Sequence, residues 1–176
     1  MPVRHLWLRP EHEHAWNDSA LEGSPSASGG GASTYFAKPS WQSGTGVPAD
    51  GARDVPDVAL PGSPSHDAYL FFTGGRMQMV GGTSAGAPTF AGIVSLLNHY
   101  LGAYGVGNVN PRLYSLAASN SSVFHDVTSG DNMVSTCVST RFRTCTAIPV
   151  GFTAGVGYDQ VTGLGSMDAY NLVTGW

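Results

Sequence analysis

The chain has 176 residues, of which 41% are apolar and 11% are charged, and its formal net charge is −4. This length is enough for one compact domain with a hydrophobic core, and we expect residues 1–176 to form a single domain. An acidic balance without a basic cluster argues against a nucleic-acid-binding surface. Likewise, no segment approaches the roughly 20 apolar residues of a membrane-spanning helix.

The first 22 residues give no clear structural pattern, and they lack the apolar core of a signal peptide. Two histidines of the His12–Glu13–His14 triplet would point to the same face of a strand, where they could bind a metal ion. A solvated turn is the more common arrangement for such a triplet. Residues 24–33 have the Ser, Gly and Pro content of a linker.

Asp57 follows a proline in the segment 54–59 and has two interpretations. Aspartate is frequent in turns and caps, which favours a structural role. The alternative is a buried carboxylate that accepts hydrogen bonds from backbone amides near a cleft.

The segments 68–72 and 77–80 are strand candidates, separated by a turn at 73–75. A pair of glycines, Gly81–Gly82, then ends the second strand, and a helix is expected to begin at Ser84. Its apolar residues have helical spacing; they are Phe90, Ile93, Val94, Leu97 and Leu101. Strands that alternate with a long helix predict a layered α/β domain with a largely parallel sheet.

Ser84 lies at this strand-to-helix corner and also has two interpretations. As a helix N-cap, its hydroxyl would accept a backbone N–H of the first turn. As a nucleophile, it would use the free N–H groups and the positive end of the helix dipole to stabilise an oxyanion. The Gly82-x-Ser84-x-Gly86 spacing also matches the weakly specific nucleophile-elbow pattern of lipases and esterases.

A second helix is predicted after the loop at 102–107, with Asn110 as its cap and Pro111 at its first position. The only two cysteines, Cys137 and Cys145, follow it. Two cysteines cannot form a zinc site without other ligands, so a local disulfide and a pair of free thiols remain the alternatives.

Several motifs, in consistent order, resemble the sedolisins, a family of serine-carboxyl peptidases that includes the kumamolisins and tripeptidyl peptidase I. Residues 81–88 (GGTSAGAP) are similar to the family signature Gly-Gly-Thr-Ser-Ala-x-x-Pro. Residues 29–42 resemble the glycine-rich segment that ends in Trp-Gln beside the family's substrate cleft, which argues against a linker. Matches at Pro56–Val58 and Asn110–Tyr114 extend the resemblance from about Glu13 to Ser166.

The resemblance implies a subtilisin-like three-layer α/β fold, present here as its C-terminal half, and an extracellular parent enzyme. It implies that Ser84 is the catalytic nucleophile acting on a peptide. It also implies a Ca²⁺ site within residues 124–166. The implied ligands are the side chains of Asp126 and Asp159 and the carbonyls of Val127, Gly155 and Gly157. Calcium prefers such oxygen ligands; the alternative is two ordinary turn aspartates.

The family's triad Glu and Asp, and the oxyanion Asp of its Ser-Gly-Asp-x-Gly motif, have no counterpart here. A serine without a base is a weak nucleophile near neutral pH. The titratable residues considered as substitutes are His12, Glu13, His14, Asp18, His66 and Asp67. His99 is excluded, because fifteen residues of helix place it about 20 Å from Ser84.

Three functions therefore remain open. The first is a sedolisin-type acid peptidase whose other catalytic groups come from elsewhere. The second is a small esterase-like hydrolase with a recruited base. The third is an inactive calcium-binding remnant or subunit. Since an exposed strand edge or apolar face tends to pair with another chain, we also expect a homo-oligomer or a complex with the missing N-terminal half.

Overall fold

The computed structural model describes residues 13–120, 122–139 and 145–176. Within these residues the helices are α1 (Ser19–Glu22), α2 (Thr83–Leu101), α3 (Asn110–Ser119) and α4 (Ala169–Thr174). The strands are β1 (Gly31–Ala37), β2 (Ala52–Val55), β3 (Tyr69–Thr73), β4 (Arg76–Val80), β5 (Phe124–His125), β6 (Val134–Ser139), β7 (Cys145–Val150) and β8 (Ser166–Met167). None of the described helices is long and apolar enough to cross a bilayer.

The strands pair as four antiparallel two-stranded sheets, β1–β2, β3–β4, β5–β8 and β6–β7. The two strand candidates that precede Ser84 form the β3–β4 hairpin, because the tight turn at Gly74–Gly75 can only join antiparallel strands. A single parallel bridge joins Ala59 and Ser166. The described residues thus form no parallel sheet by themselves, and the largely parallel sheet stays a prediction.

The main hydrophobic core lies between the helices. Its fully buried members come from α3, α4 and the turn before β5; they are Leu113, Leu116, Val123 and Leu172. Phe90 and Ile93 of α2 pack against this cluster. The apolar stripe of α2 therefore faces the core as predicted, although Leu101, at the end of the helix, is exposed.

The β3–β4 hairpin carries exposed apolar side chains on both of its faces. They are Leu70, Phe72, Met77 and Met79 on one face and Phe71 and Val80 on the other. We call these six residues the hairpin patch. Exposed apolar side chains in such number are characteristic of a surface that packs against other protein.

The second helix begins one residue earlier than its predicted cap implies. Asn110 is the first residue of α3, Val109 occupies the N-cap position without a side-chain cap, and Asn108 Oδ1 accepts the Asn110 N–H at 3.1 Å. The prediction that Asn110 caps α3 is therefore wrong. Its side chain instead donates a hydrogen bond to Asp57 Oδ2 at 2.9 Å, which ties the start of α3 to the loop after β2.

Cys137 in β6 is disulfide-bonded, and no described cysteine is free. This observation favours the disulfide over the two free thiols. A disulfide within a hairpin suits an oxidising compartment.

Candidate functional site

The serine corner is built as the sequence predicts, with β4 running into a glycine pair and then into α2. Gly82 is the N-cap residue, with a φ of 86°, a backbone conformation that favours glycine. Ser84 lies in the first turn of α2 with its side chain exposed, and no side-chain hydrogen bond caps the helix. The N-cap interpretation of Ser84 is therefore wrong, and its hydroxyl is left available to solvent.

No side chain in the described part of the molecule forms a hydrogen bond with the Ser84 hydroxyl. Asp67, one of the residues considered as substitute bases, is exposed, and the other described candidates have partners elsewhere. Glu13 lies 3.4 Å from His125, and His14 lies 2.9 Å from Ser129 Oγ. Asp18 and His66 contact each other, and His12 lies outside the described residues. The structure brings none of these groups to Ser84.

Two cavities formed by the described residues also lie away from the serine. A cavity of about 700 Å³ lies between the N-terminal segment and the start of β6, and its lining includes His14 and Asp131. A second cavity of about 520 Å³ is lined in part by Asp126, Gly157 and Tyr158. Ser84 lines neither cavity.

The two aspartates predicted to bind calcium meet at the 155–157 turn. Asp126 Oδ2 accepts a hydrogen bond from the Gly157 N–H at 2.8 Å, and Asp159 Oδ2 accepts one from the Gly155 N–H at 2.9 Å. Asp159 is buried, and its Oδ1 accepts the N–H groups of Val161 and Thr162. The structure thus brings the predicted carboxylates to one glycine-rich turn.

The remaining oxygens of this region suit a hard cation. No described residue donates a hydrogen bond to the carbonyls of Val127, Gly155 or Gly157, so these carbonyls keep free lone pairs. The described residues contain no cluster of three or more His, Cys, Asp or Glu side chains. Two carboxylates with several carbonyls form an oxygen-only set, which fits Ca²⁺ and not a metal that prefers nitrogen or sulfur.

Asp57 forms a structural junction and not a site for backbone amides. Its carboxylate accepts hydrogen bonds from Asn110 Nδ2, from Tyr114 Oη at 3.0 Å and from Arg53. Burial raises the pKa of the Tyr114 hydroxyl well above its ordinary value, and the charge of Asp57 adds to this effect. The side chains that hold this junction come from β2 and α3, so it fixes α3 against the loop after β2.

Sequence reasoning missed a buried polar network around Asp54. Gln42 accepts the Asp54 N–H at 3.0 Å and donates to the Asp54 carbonyl at 2.8 Å, in the way that a neighbouring strand would. The Asp54 carboxylate pairs with Lys38 and accepts from Gln160 at 2.5 Å. The Trp-Gln motif was the available signal, but the partner of the glutamine could not be read from it.

Sequence reasoning named Asp18 and His66 as candidate bases but missed that they belong to one cluster. Asp18 is buried, and its Oδ2 accepts hydrogen bonds from Trp16 Nε1 and Ser63 Oγ, each at 2.7 Å. His66 Nδ1 lies 3.3 Å from Asp18 Oδ1. No local pattern could have predicted it, because 45 positions separate Asp18 from Ser63.

Known proteins are similar in sequence to most of this chain. Kumamolisin of Bacillus sp. (strain MN-32) is 41% identical in an alignment of 164 residues that covers 90% of this chain and 26% of kumamolisin. Sedolisin of Pseudomonas sp. (strain 101) is 34% identical in an alignment of 163 residues that covers 92% of this chain and 25% of sedolisin. The chain thus spans about a quarter of the length of these curated relatives.

A solved structure gives the same result for the fold. The structure of Pseudomonas sedolisin, a serine-carboxyl proteinase complexed with two molecules of pseudo-iodotyrostatin, matches with a TM-score of 0.72 at 34% identity, covering 92% of this chain and 40% of that one. No family model matches the chain. The similarity extends over nearly all of its residues in both sequence and structure, and the chain therefore belongs, over the part that it spans, to the sedolisin family.

Proposed function

We propose that this chain carries the nucleophile of a sedolisin-type serine peptidase, and that the nucleophile is Ser84. The observation that carries the proposal is the exposed Ser84 hydroxyl in the first turn of α2, two residues after the glycine pair that follows β4. Amides in the first turn of a helix lack intrahelical partners, and they favour negative charge nearby. Homology to serine-carboxyl peptidases supports the same role.

In this mechanism Ser84 Oγ attacks the carbonyl carbon of a peptide and gives up its proton to a base, and a covalent acyl-enzyme forms as the amine leaves. Water then releases the acyl group. The described residues offer Ser84 no base, so we propose that the Glu and Asp of the triad and the oxyanion Asp come from a part of the catalytic domain outside this sequence. The parallel sheet would be completed by the same part.

Covalent labelling tests the proposal. The chain is incubated at acidic pH with a peptide aldehyde or an acylating inhibitor, and the adduct is located by mass spectrometry. Because the described residues supply no base, we expect an adduct that forms slowly on Ser84 and does not form in Ser84→Ala. Ser95→Ala is the matched control, because Ser95 is an exposed serine of the same helix. If no adduct forms, or if Ser84→Ala labels as well as the wild type, Ser84 does not act as the nucleophile of this chain.

We further propose that Asp126, Asp159 and the carbonyls of Val127, Gly155 and Gly157 hold one Ca²⁺. The ion would join the loop after β5 to the 155–157 turn, and its role would be structural. A ligand that binds only the folded state stabilises it, and once the site is saturated the added free energy of unfolding grows with the logarithm of the ligand concentration. The melting temperature rises accordingly.

The calcium proposal predicts a higher melting temperature in millimolar Ca²⁺ than in a chelator. Asp126→Asn should abolish this difference, whereas Asp67→Asn should leave it intact, because Asp67 is an exposed aspartate outside the site. Equal melting temperatures of the wild type with calcium and with chelator would contradict the site.

An esterase-like function is the alternative that the exposed serine allows. Activated esters need less help for the leaving group than amides do. Hydrolysis of a short p-nitrophenyl ester near neutral pH, lost in Ser84→Ala, would distinguish this function from acid peptidase chemistry. The absence of a base beside Ser84 within the described residues makes it the weaker candidate.

The hairpin patch favours a further proposal, that the chain works against a second protein surface. The occupant is either the remainder of the catalytic domain or another copy of the chain. A calcium-binding subunit that turns over neither esters nor peptides would be the non-enzymatic form of this proposal. We place the parent enzyme outside the cell, which the disulfide of Cys137 supports.

A further inference from the structure

We propose that Asp18, Ser63 and Trp16 form a clamp that holds the glycine turn in front of Ser84, and thereby positions the proposed nucleophile. The clamp joins the N-terminal segment to the loop before β3, and this loop supports the serine corner. The proposal rests on the nucleophilic role of Ser84 only for its functional consequence. The clamp itself is inferred from contacts between described residues.

The first contacts lie between the N-terminal segment and the 62–66 loop. Ser63 Oγ donates to Asp18 Oδ2 at 2.7 Å, and Trp16 Nε1 donates to the same oxygen at 2.7 Å. A Cβ atom on Gly62 would lie 2.7 Å from Trp16 Cε3, so the indole packs directly on this glycine. The carboxylate and the indole thus hold two consecutive residues of the loop.

Ser63 also organises the loop itself. Its hydroxyl oxygen accepts the backbone N–H groups of Ser65 at 3.1 Å and His66 at 2.9 Å. It therefore donates to Asp18 while it accepts from the loop backbone. Removing this one hydroxyl would remove the hydrogen bond to Asp18 and both hydrogen bonds from the loop backbone, and would leave the packing of Trp16 on Gly62.

The loop in turn contacts the glycine pair that precedes the proposed nucleophile. The Gly82 N–H donates to the Gly62 carbonyl at 2.6 Å. A Cβ atom on Gly81 would lie 2.6 Å from the backbone nitrogen of Pro64, so the two backbones are in close contact. Ser84 lies two residues after Gly82, in the first turn of α2. A shift of the glycine turn would therefore move the start of α2 and Ser84 with it.

The charge of Asp18 suits a clamp that has to persist in acid. Burial by itself would raise the pKa of the Asp18 carboxyl, but hydrogen bonds from Ser63 and Trp16, together with the charge of His66, lower that pKa below its ordinary value. A lowered folded-state pKa stabilises the clamp above the ordinary carboxyl range, and this contribution is lost only as pH falls through the lowered value. The clamp thus keeps its charge under mildly acidic conditions.

Three ionisable groups lie around this carboxylate. His66 is the group whose charge acts on Asp18, and its contact becomes an ion pair when the imidazole is protonated. Glu22 accepts a hydrogen bond from Ser65 Oγ at 3.2 Å, and Asp67 lies next to His66 and donates its N–H to the Ser63 carbonyl. Neither Glu22 nor Asp67 touches the carboxylate of Asp18.

Hydrogen exchange of the Gly82 amide, followed by NMR on the full chain, tests the clamp directly. We expect Ser63→Ala to accelerate this exchange by about tenfold, the effect of losing a charge-assisted buried hydrogen bond on a local opening. Ser65→Ala is the matched control in the same loop and should leave the rate unchanged. The backbone N–H of Leu172 in α4 donates to the backbone carbonyl of Asp168 at 2.8 Å, and its exchange rate reports on global stability.

An unchanged Gly82 rate in Ser63→Ala would overturn the proposal. Equal acceleration at Gly82 and Leu172 would also overturn it, because the cluster would then stabilise the whole fold and not this turn. A second readout is the Trp16 indole N–H resonance, which should titrate with Asp18. Its midpoint should rise in Ser63→Ala, and an unmoved midpoint would count against the clamp.

Labelling of Ser84 separates this proposal from the proposed function. If wild-type Ser84 labels, Ser63→Ala should slow the reaction by a factor similar to its effect on Gly82 exchange, and an unchanged labelling rate would overturn the positioning role. If wild-type Ser84 does not label, the proposed function of the isolated chain fails. The hydrogen-exchange rates of the Gly82 amide then test the clamp independently of Ser84 labelling.

Discussion

Gln42 is expected to carry more of the stability of this domain than any exposed polar residue. Its side chain is 2% exposed and forms three hydrogen bonds, two with the backbone of Asp54 and one with Tyr114 Oη at 2.9 Å. At about 1 kcal/mol for each buried bond, Gln42→Ala should lower the free energy of unfolding by about 3 kcal/mol. This is a large part of the roughly 5–15 kcal/mol that stabilises a typical domain.

Urea unfolding followed by tryptophan fluorescence measures this change by linear extrapolation. The matched control is Gln78→Ala, because Gln78 is exposed on β4 and should change the free energy by less than about 0.5 kcal/mol. In Gln42→Glu the acceptor for the Asp54 N–H remains but the amide donor is lost, so this variant should also be destabilised. If Gln42→Ala and Gln78→Ala unfold at the same urea concentration, Gln42 does not support β2.

Three further predictions concern titration, assembly and the core. Burial raises the pKa of the Tyr114 and Tyr158 hydroxyls, so the free energy of unfolding should fall as pH rises above about 10, where the unfolded chain ionises and the native state does not; absorbance at 295 nm should show tyrosines that titrate only on unfolding. Light scattering at tens of micromolar should show an oligomer that Phe72→Ser in the hairpin patch weakens, and a monomeric wild type would contradict assembly through this surface. Leu113→Ala should lower the free energy of unfolding by about 2–5 kcal/mol, against less than about 0.5 kcal/mol for Leu21→Ala, an exposed leucine outside the hairpin patch, and equal urea midpoints would exclude the core assignment.

Local patterns predicted the elements around Ser84 because such patterns depend on near neighbours. The spacing of Phe90, Ile93 and Leu97 predicted a helix, and the structure has α2 at Thr83–Leu101. The two short apolar segments before it predicted two strands, although their antiparallel pairing was not foreseen. Homology supports the family that the ordered motifs suggested.

The errors near this corner have a local cause as well. Both Ser84 and Asn110 were candidates for helix caps because serine and asparagine are common there. In each case the candidate lies inside the helix: α2 begins at Thr83 with Gly82 as its N-cap, and α3 begins at Asn110 with Val109 as its N-cap. The residue preference was correct in general, but the backbone path before each helix decided which residue occupies the cap.

The amino-acid sequence by itself determined the helix, the hairpin strands and the glycine turn that exposes Ser84, because these depend on spacing and on residues a few positions apart. Only the tertiary structure decided which polar groups are buried together. Asp18 meets Ser63, and Gln42 meets the backbone of Asp54, because distant segments pack against each other and each buried polar group needs a partner. That requirement is physical and general, but the identity of each partner depends on the path of the whole chain.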